Sequence, residues 1–284
     1  MISSDYPVLY TSASVLSGRA QKRFFMFLGT NLLLLVTSIS STELVSDASI
    51  SSLVLLLQLL VSISCAIALA FWKDQQVWYE SRALAESIKT MAWRYMMRSD
   101  PYHTKGDDKP LFIANLTKLL EDNRSLKFEA LTGEQITNKM SQVRASDWLH
   151  KMQFYLKDRI EDQLQWYKVK SENNSKKSKW WYLFVIFLHI IAICFLVFLI
   201  QGSLKQLWVV TIVLATASAS MAWLQTKRFQ ELASSYALTM HDIQMLKALA
   251  STITNEQDFS KFVGDSENAF SREHTQWRAR RDVR

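Results

Sequence analysis

Residues 180–200 read WWYLFVIFLHIIAICFLVFLI, and this stretch decides the fold. It contains no Asp, Glu, Lys or Arg, and a helix needs about 20 mostly apolar residues to cross the hydrocarbon core of a bilayer. A basic run, Lys176, Lys177 and Lys179, stands directly before it. An uncharged apolar stretch of this length predicts a transmembrane helix.

Three further apolar blocks have the same character, at about 24–41, 52–72 and 204–224. The chain has only 6 glycines and 3 prolines, whereas turn-rich β architectures need such residues far more often. The sequence therefore predicts an all-α membrane protein with four transmembrane helices in two hairpins. A cleaved signal peptide at the first block is disfavoured, because a second apolar block follows at once without a cleavage site.

The flanks of the apolar blocks predict their orientation. Lys and Arg precede the first and third blocks and follow the second and fourth, and they account for the net charge of +7. The first short loop, 42–51, holds no Lys or Arg, and the second holds only Lys205. Because basic residues stay on the cytoplasmic side, both termini and the middle segment are predicted to face the cytoplasm. The run at 176–179 also allows contact with anionic lipid.

Long helices are predicted outside the apolar blocks. Apolar residues recur at three- and four-residue spacing from the second block to Arg98, so one helix is expected over 52–98. The fourth helix is expected to continue through Leu249. A short helix is expected at about 112–122, and a helix over 134–179 feeds into the third transmembrane helix. The chain is therefore predicted to contain two modules of similar plan, residues 1–133 and residues 134–284. The second module ends in a basic tail.

Five motifs outside the apolar blocks carry a family resemblance. They are WYESRALAESIKTMAWRYMMRSDPY (78–102), ITNKMSQVR (136–144), YLKDRIEDQLQWYKVK (155–170), ELASSYALTMHDI (231–243) and AFSREHTQWRARR (269–281). Together and in this order they resemble the SLATT family, the SMODS- and SLOG-associating two-transmembrane effectors of prokaryotic conflict systems. Two such modules in tandem would cover nearly the whole chain.

The resemblance implies an effector that responds to a nucleotide-derived signal or a sensor protein, assembles as a homo-oligomer and perforates the inner membrane. The chain has no recognisable sensor domain, so the sensor is expected on a partner protein. The bilayer is the other expected partner, and nucleic acid is not expected. The alternative is a non-conducting membrane scaffold or signalling protein whose cytoplasmic helices bind a partner.

Motifs for catalysis are missing from the sequence. It contains no glycine-rich phosphate loop, zinc-ligand spacing or nucleophile motif, and its 5 histidines are scattered. A general base also needs a pocket and an orienting group, so His241-Asp242 and Arg272-Glu273-His274 are expected to pair between helices or with solvent. We therefore predict no enzyme activity, catalytic residue, metal or cofactor.

Polar residues within the apolar blocks are the first set of candidate site residues. At membrane depth such residues are expected to face a helix partner or water, so they either pack the helices or line a pore. His189 could also titrate. The set comprises Asn31, Gln58, Ser62, His189, Thr211, Thr216, Ser218 and Ser220.

The second candidate set belongs to the cytoplasmic motifs and would serve assembly. Arg82 and Glu86 stand four residues apart, as in an intrahelical ion pair that is either solvated or clamps the two modules. The remaining members are Trp78, Tyr79, Trp93, Arg94, Arg159, Asp162, Gln163, Trp166, Tyr167, Tyr236, Arg272, Glu273, His274 and Trp277.

Overall fold

The computed structural model describes residues 1–44, 47–103, 107–129, 131–202 and 206–282, with the side chains of 42–44 and 272–282 left aside. The described residues form helices and no strand, so the all-α prediction is confirmed. The helices are α1 Val8–Leu44, α2 Ala48–Phe71, α3 Asp74–Met97, α4 Lys109–Asp122, α5 Asn138–Ala145, α6 Trp148–Tyr155, α7 Asp162–Ile200, α8 Trp208–Lys227, α9 Phe229–Leu249 and α10 Glu256–Asp282. A π-helical segment, Leu156–Glu161, joins α6 to α7, and short 3-10 turns lie at Ser3–Asp5 and Ala250–Thr252.

Four helices in the described part of the chain are long and apolar enough to cross a membrane, as predicted. They contain the first three apolar blocks and residues 208–224 of the fourth, and the protein is a multi-pass membrane protein. The first helix begins well before its block, at Val8 rather than near residue 24. The short helix expected at 112–122 starts three residues earlier, at Lys109.

The helices divide between two compact units. The core unit comprises 1–21, 75–169 and 236–284, and the membrane unit comprises 22–74 and 170–235. In the core unit large apolar side chains are buried, among them Trp93, Phe112 and Phe259. This is the pattern of a water-soluble domain, in which burial of apolar surface drives folding.

The membrane unit has the opposite pattern. Its large apolar side chains, such as Leu53, Leu57 and Phe187, point outward, while small ones such as Ala192 and Ala217 are buried. Lipid tails are as apolar as leucine, so transmembrane helices associate through close packing of small residues. The outward apolar surface is therefore the expected contact with lipid.

The continuous helix predicted over 52–98 is wrong. The chain leaves the helix at Trp72 and Lys73, where Lys73 has the left-handed φ of 49°, and α3 starts at Asp74. The break places the buried carboxylate of Asp74 2.7 Å from the guanidinium of Arg23. A carboxylate at a helix N-terminus is favoured by the helix dipole. No glycine marks this break, so the residue pattern concealed it.

The fourth predicted helix is interrupted at the corresponding point. Arg228 has φ of 50° and separates α8 from α9, which then ends at Leu249 as expected. The helix predicted over 134–179 is also wrong in its first part. It begins at Asn138, stops at Ala145 and restarts after Asp147, whose carboxylate accepts a hydrogen bond from the His150 amide at 3.0 Å. Aspartate is a strong N-cap, and Ser146-Asp147 was the overlooked signal.

Lys73→Gly is expected to raise the free energy of unfolding by about 1 kcal/mol relative to Lys73→Ala, because a Cβ disfavours the left-handed conformation. At Lys89, inside α3, the order should reverse, since glycine destabilises a helix interior by roughly 0.5–1 kcal/mol relative to alanine. Chemical unfolding in detergent measures both pairs. Equal stability of the two variants at position 73 would contradict a strained backbone there.

Candidate functional site

A buried ion pair lies among the apolar side chains of the core unit. The Arg159 guanidinium donates through Nε to Glu267 Oε1 at 2.8 Å and through Nη2 to Glu267 Oε2 at 2.7 Å. Both side chains are almost fully buried, at 2% and 0% exposed. The Tyr155 hydroxyl donates to the same Oε1 at 2.9 Å. Charged groups are rarely buried unless paired in this way, because desolvation is costly.

Arg159 owes its position to the π-helical segment that precedes α7. Arg159 and Ile160 are the buried residues of this segment. A π-helical turn inserts an extra residue into the helix and changes the direction of the side chains that follow it. Such turns recur at functional sites, so this segment is the local feature that makes the buried pair a candidate site.

Aromatic rings surround the ion pair. The guanidinium carbon of Arg159 is 4.6 Å from the ring centroid of Phe270 and 5.9 Å from that of Trp93. The Trp93 indole donates from Nε1 to the Tyr6 hydroxyl oxygen at 3.0 Å. Tyr6 and Trp93 come from the N-terminal half of the chain, while Arg159, Glu267 and Phe270 come from the C-terminal half. The cluster therefore joins the two halves of the sequence within one unit.

The electrostatics of this cluster keep Arg159 charged and its phenols neutral. Burial opposes the charge on Arg159, but Glu267 outweighs it and raises the pKa of the guanidinium. Burial also raises the pKa of the Tyr6 and Tyr155 phenols. The pKa of Lys89 is lowered by burial and by Arg159. A change of charge in this cluster would thus be strongly coupled to the folding of the core unit.

The stability of the core unit is expected to fall as the pH rises above about 10, the pKa of an unfolded tyrosine. Because burial raises the folded-state pKa of Tyr6 and Tyr155, the folded state holds protons that the unfolded state releases. The contribution of these two phenols to the free energy of unfolding is complete below the pKa of the unfolded state and is lost as the pH rises above it. Tyr6→Phe should flatten the decline by up to about 1.4 kcal/mol per pH unit. Unfolding titrations between pH 9 and 11 measure the slope, and an unchanged slope in the variant would contradict the assignment.

A second buried ion pair lies within the core unit, between Arg144 and Asp108. The Arg144 guanidinium also lies over the Tyr95 ring, 4.4 Å from its centroid, and donates to the Tyr102 carbonyl. Tyr95 packs on Phe112 with ring centroids 4.6 Å apart. Every member of this network lies between residues 95 and 144, so it does not involve α10.

The polar members of the predicted assembly set are distributed over several places. Arg82 and Glu86 form the expected intrahelical pair, with Nη2 and Oε1 2.8 Å apart. Arg94 donates to Asn268 Oδ1 at 2.7 Å and so ties α3 to α10. The Gln163 side-chain amide donates to Asp162 Oδ2 at 3.2 Å.

The aromatic members form two contacts in the core unit. Trp78 and Tyr79 are stacked, with centroids 4.6 Å apart. Trp166, Tyr167 and Tyr236 form a cluster with Trp166–Tyr236 centroids 5.4 Å apart.

Four predicted residues belong to α10, and the structure describes only their backbone. They are Arg272, Glu273, His274 and Trp277.

The polar candidates of the first hairpin satisfy one another. The Ser62 hydroxyl of α2 donates to Asn31 Oδ1 of α1 at 2.8 Å. The Ser41 hydroxyl donates to Gln58 Oε1 at 3.0 Å, and the Gln58 amide reaches Thr37 Oγ1 at 3.4 Å. These bonds join the two helices of the hairpin, as expected of packing residues.

The candidates of the second hairpin face a different environment. His189 Nδ1 contacts the Val185 carbonyl oxygen of its own helix at 2.7 Å, and Thr211 and Thr216 donate to carbonyls of α8. His189 and Ser218 line a cleft of about 340 Å³ between α7 and α8. Ser220 is buried and does not line this cleft.

The lining of this cleft is partly polar. Its remaining residues are Val185, Ala217, Met221, Ala222 and Gln225. Among the described residues the side chains of Ser218 and Gln225 have no hydrogen-bond partner.

Sequence reasoning missed most of the buried charges and the buried phenol of Tyr6. Glu267, Asp108, Arg144 and Tyr6 were not among the predicted residues, and Arg159 was grouped with its exposed neighbours. One signal was available for Glu267. It falls on the apolar face of α10 defined by Phe259, Val263 and Phe270, and a carboxylate on such a face needs a buried partner.

A metal site has no support from the geometry. Within the described ranges, no group of three or more His, Cys, Asp or Glu residues could hold a metal ion.

Two family models match the chain. The model of SMODS and SLOG-associating 2TM effector domain 3 matches residues 7–151, and that of SMODS and SLOG-associating 2TM effector domain 1 matches residues 155–277. The first match ends at residue 151 and the second begins at residue 155, whereas the predicted division between the two modules lies at residue 133. No curated protein and no solved structure matches the chain.

Proposed function

We propose, from the premise that the chain belongs to the SLATT family and carries two of its domains in tandem, that the protein is an effector that permeabilises a membrane. SLATT domains are membrane-associated and belong to conflict and defence systems. On receiving a signal, from a sensor protein or a nucleotide-derived ligand, the protein would assemble into a homo-oligomer and depolarise the bacterial inner membrane.

The cleft of the second hairpin is the observation that supports conduction. It groups the polar side chains of His189, Ser218 and Gln225 between the two helices of this hairpin, whose large apolar side chains, such as Phe187, point outward. A polar group exposed to hydrocarbon without a partner is costly, so polar residues in membrane helices usually face protein or water. In an oligomer this face would meet other copies or a water-filled path, whereas the polar candidates of the first hairpin bond to residues of the same hairpin.

The core unit is the proposed receiver of the signal. Its buried cluster of Arg159, Glu267, Tyr155 and Trp93 brings both SLATT domains together. A signal bound to either domain could thus act on the other through the shared cluster. The flanking Lys and Arg residues favour a cytoplasmic position for this unit and for both termini.

Expression in bacteria together with the native trigger system tests the proposal. A potential-sensitive dye should report depolarisation by the wild-type protein. Ser218→Leu and His189→Leu should slow it by about tenfold, as if the barrier rose by about 1.4 kcal/mol. The matched control is Thr211→Leu, because the exposed Thr211 hydroxyl is bonded within its own helix and lies outside the cleft.

Two results would contradict conduction. One is unchanged membrane potential and growth at full induction with the trigger present. The other is an equal loss of activity in Thr211→Leu, since this would indicate general damage to the hairpin.

A non-conducting scaffold is the second candidate function. It is favoured by the internal pairing of the polar residues in the first hairpin, such as Asn31 with Ser62. A hairpin that only anchors should be replaceable by an unrelated hairpin without loss of function. If activity survives the exchange of both hairpins, the scaffold is the better account.

A further inference from the structure

Helix α9 carries apolar side chains on two faces. One face packs into the core unit, where Ile243 is 1% exposed and Leu246 contacts the buried cluster. On the other face Leu238, Met245 and Leu249 are 64%, 68% and 55% exposed. All three belong to the core unit, in which other large apolar side chains are buried. Exposed apolar side chains that share one face of a water-soluble domain indicate an interaction surface.

The exposed face has the spacing of a coiled coil. Leu238, Asp242, Met245 and Leu249 are separated by four, three and four residues, as are successive d, a, d and a positions of a heptad repeat. We call these four residues the α9 seam. Asp242 is exposed and, within the part of the chain that the structure describes, forms no ion pair. A polar residue at a single a position lowers the stability of a coiled coil but fixes its register.

The charges of α9 argue against the bilayer surface as the partner of the seam. Helices that lie on a membrane are rich in Lys and Arg beside their apolar face, because the cytoplasmic leaflet is negatively charged. Helix α9 contains a single residue of this kind, Lys247, and it forms an ion pair with Glu161. The seam instead places the carboxylate of Asp242 among its apolar side chains, and an anionic leaflet would repel this group.

A second copy of the chain complements the seam. In a parallel coiled coil of identical helices, an a residue packs between the a residue of the other helix and the residue just before it. That residue is His241, which can carry a positive charge near neutral pH, so Asp242 of each copy would meet His241 of the other. His241 Nδ1 lies 3.2 Å from Gln244 Oε1, which leaves Nε2 for this contact. Copies inserted in one membrane share one orientation, as such a pairing requires.

We propose that the α9 seam binds the same seam of a second copy and is the contact through which core units assemble. The inference rests on the proposed homo-oligomer but not on conduction. The seam is roughly 17 Å long at 1.5 Å per residue, too short to bury the roughly 1,200–2,000 Å² of a stable interface. The contact is therefore weak and reversible, and confinement to one membrane raises the effective concentration of the copies. These are the properties that an assembly controlled by a signal needs.

Disulfide cross-linking in intact membranes tests the seam. The full chain carries Cys65→Ala and Cys194→Ala, which remove its native cysteines, and one new cysteine. The new cysteine is Met245→Cys in the seam or, as the matched control, Gln244→Cys, an exposed neighbour outside it. With the native trigger system present, a mild oxidant should link Met245→Cys at least about tenfold faster than Gln244→Cys. The reason is that paired helices have a higher effective concentration than chains that collide at random.

A charge within the seam should prevent this linkage. Leu238→Glu in the Met245→Cys background should reduce the cross-linking rate to that of the Gln244→Cys control. Gln244→Glu in the same background adds the same charge outside the seam and should leave the rate unchanged. An unchanged thermal midpoint of unfolding shows that each variant is folded, as expected for substitutions at exposed positions.

Several results would overturn the proposal. Equal rates for Met245→Cys and Gln244→Cys would indicate random collision, and an equal loss in Gln244→Glu would indicate diffuse repulsion. Depolarisation without a cross-link at Met245→Cys would show that copies assemble through another surface, while the proposed function stands. Cross-linking without depolarisation would support the seam and contradict conduction. If Leu238→Glu abolishes the response to the trigger but leaves the oligomer size unchanged, a sensor protein rather than a second copy binds the seam.

Discussion

Replacing Glu267 with glutamine is expected to lower the free energy of unfolding of the core unit by about 3–5 kcal/mol. The substitution leaves Arg159 buried and charged without its bidentate partner. It also replaces the charged acceptor of the Tyr155 hydroxyl bond with a neutral one. Denaturant titration of the detergent-solubilised protein, followed by the signal of the core tryptophans, measures the loss.

The double variant Arg159→Met with Glu267→Leu distinguishes an unpaired charge from lost packing. Breaking a buried pair is far costlier than replacing both partners by apolar groups, so most of the stability should return. A deficit of about 1–3 kcal/mol should persist, because the Tyr155 hydroxyl then lacks an acceptor. The loss of stability in the double variant is compared with the sum of the losses in Arg159→Met alone and Glu267→Leu alone. If the two values are equal, the charges are not coupled and the assignment fails.

The exposed pair of Lys247 and Glu161 provides the control for this experiment. Its side chains are 50% and 52% exposed. Lys247→Gln should change stability by no more than about 1 kcal/mol, since solvent screens exposed ion pairs. A comparable loss at both pairs would show that burial is not what makes the Arg159 pair important.

Trp93→Ala is expected to have a similarly large effect, about 3–5 kcal/mol of destabilisation. The side chain is fully buried, packs on Tyr155 at 5.6 Å between centroids and donates to Tyr6. Truncation would leave a cavity and an unpaired Tyr6 hydroxyl. Guanidinium unfolding of the same preparation measures the effect, with Leu249→Ala as the control, because Leu249 is 55% exposed.

This prediction also decides between two interpretations of the Trp93 motif. The sequence motif predicts an assembly residue, whereas the fully buried position indicates a residue that stabilises the core of one chain. If Trp93→Ala leaves stability unchanged and alters only the oligomeric state, the assembly interpretation is the correct one.

The membrane architecture could be predicted from the sequence because it depends on composition within short windows. An uncharged block such as 180–200 has few alternatives to a transmembrane helix, and the scarcity of glycine and proline excludes turn-rich folds. The family motifs were equally local, and the matches at 7–151 and 155–277 confirm the tandem resemblance. Oligomerisation, conduction and the cytoplasmic position of the termini stay predictions.

The helix breaks could not be predicted in the same way. Lys73 and Arg228 adopt left-handed backbone angles without a glycine, because interactions such as the one between Arg23 and Asp74 compensate the local strain. Propensity is a weak prior that such contacts override. The break after Ala145 did carry a local signal in Asp147, so that error came from following the apolar period alone.

By itself, the sequence determined that this protein is helical, crosses a membrane with four helices and carries two related domains, since each of these properties is written in contiguous residues. Only the tertiary structure decided which charges are buried and which meet. Arg159 and Glu267 are 108 residues apart, and Arg144 and Asp108 are 36 residues apart. The apolar stretch 180–200 thus predicted a transmembrane helix but not the cleft that His189 lines together with Ser218. A single sequence carries no record of such distant pairings, whose energies depend on distance and burial.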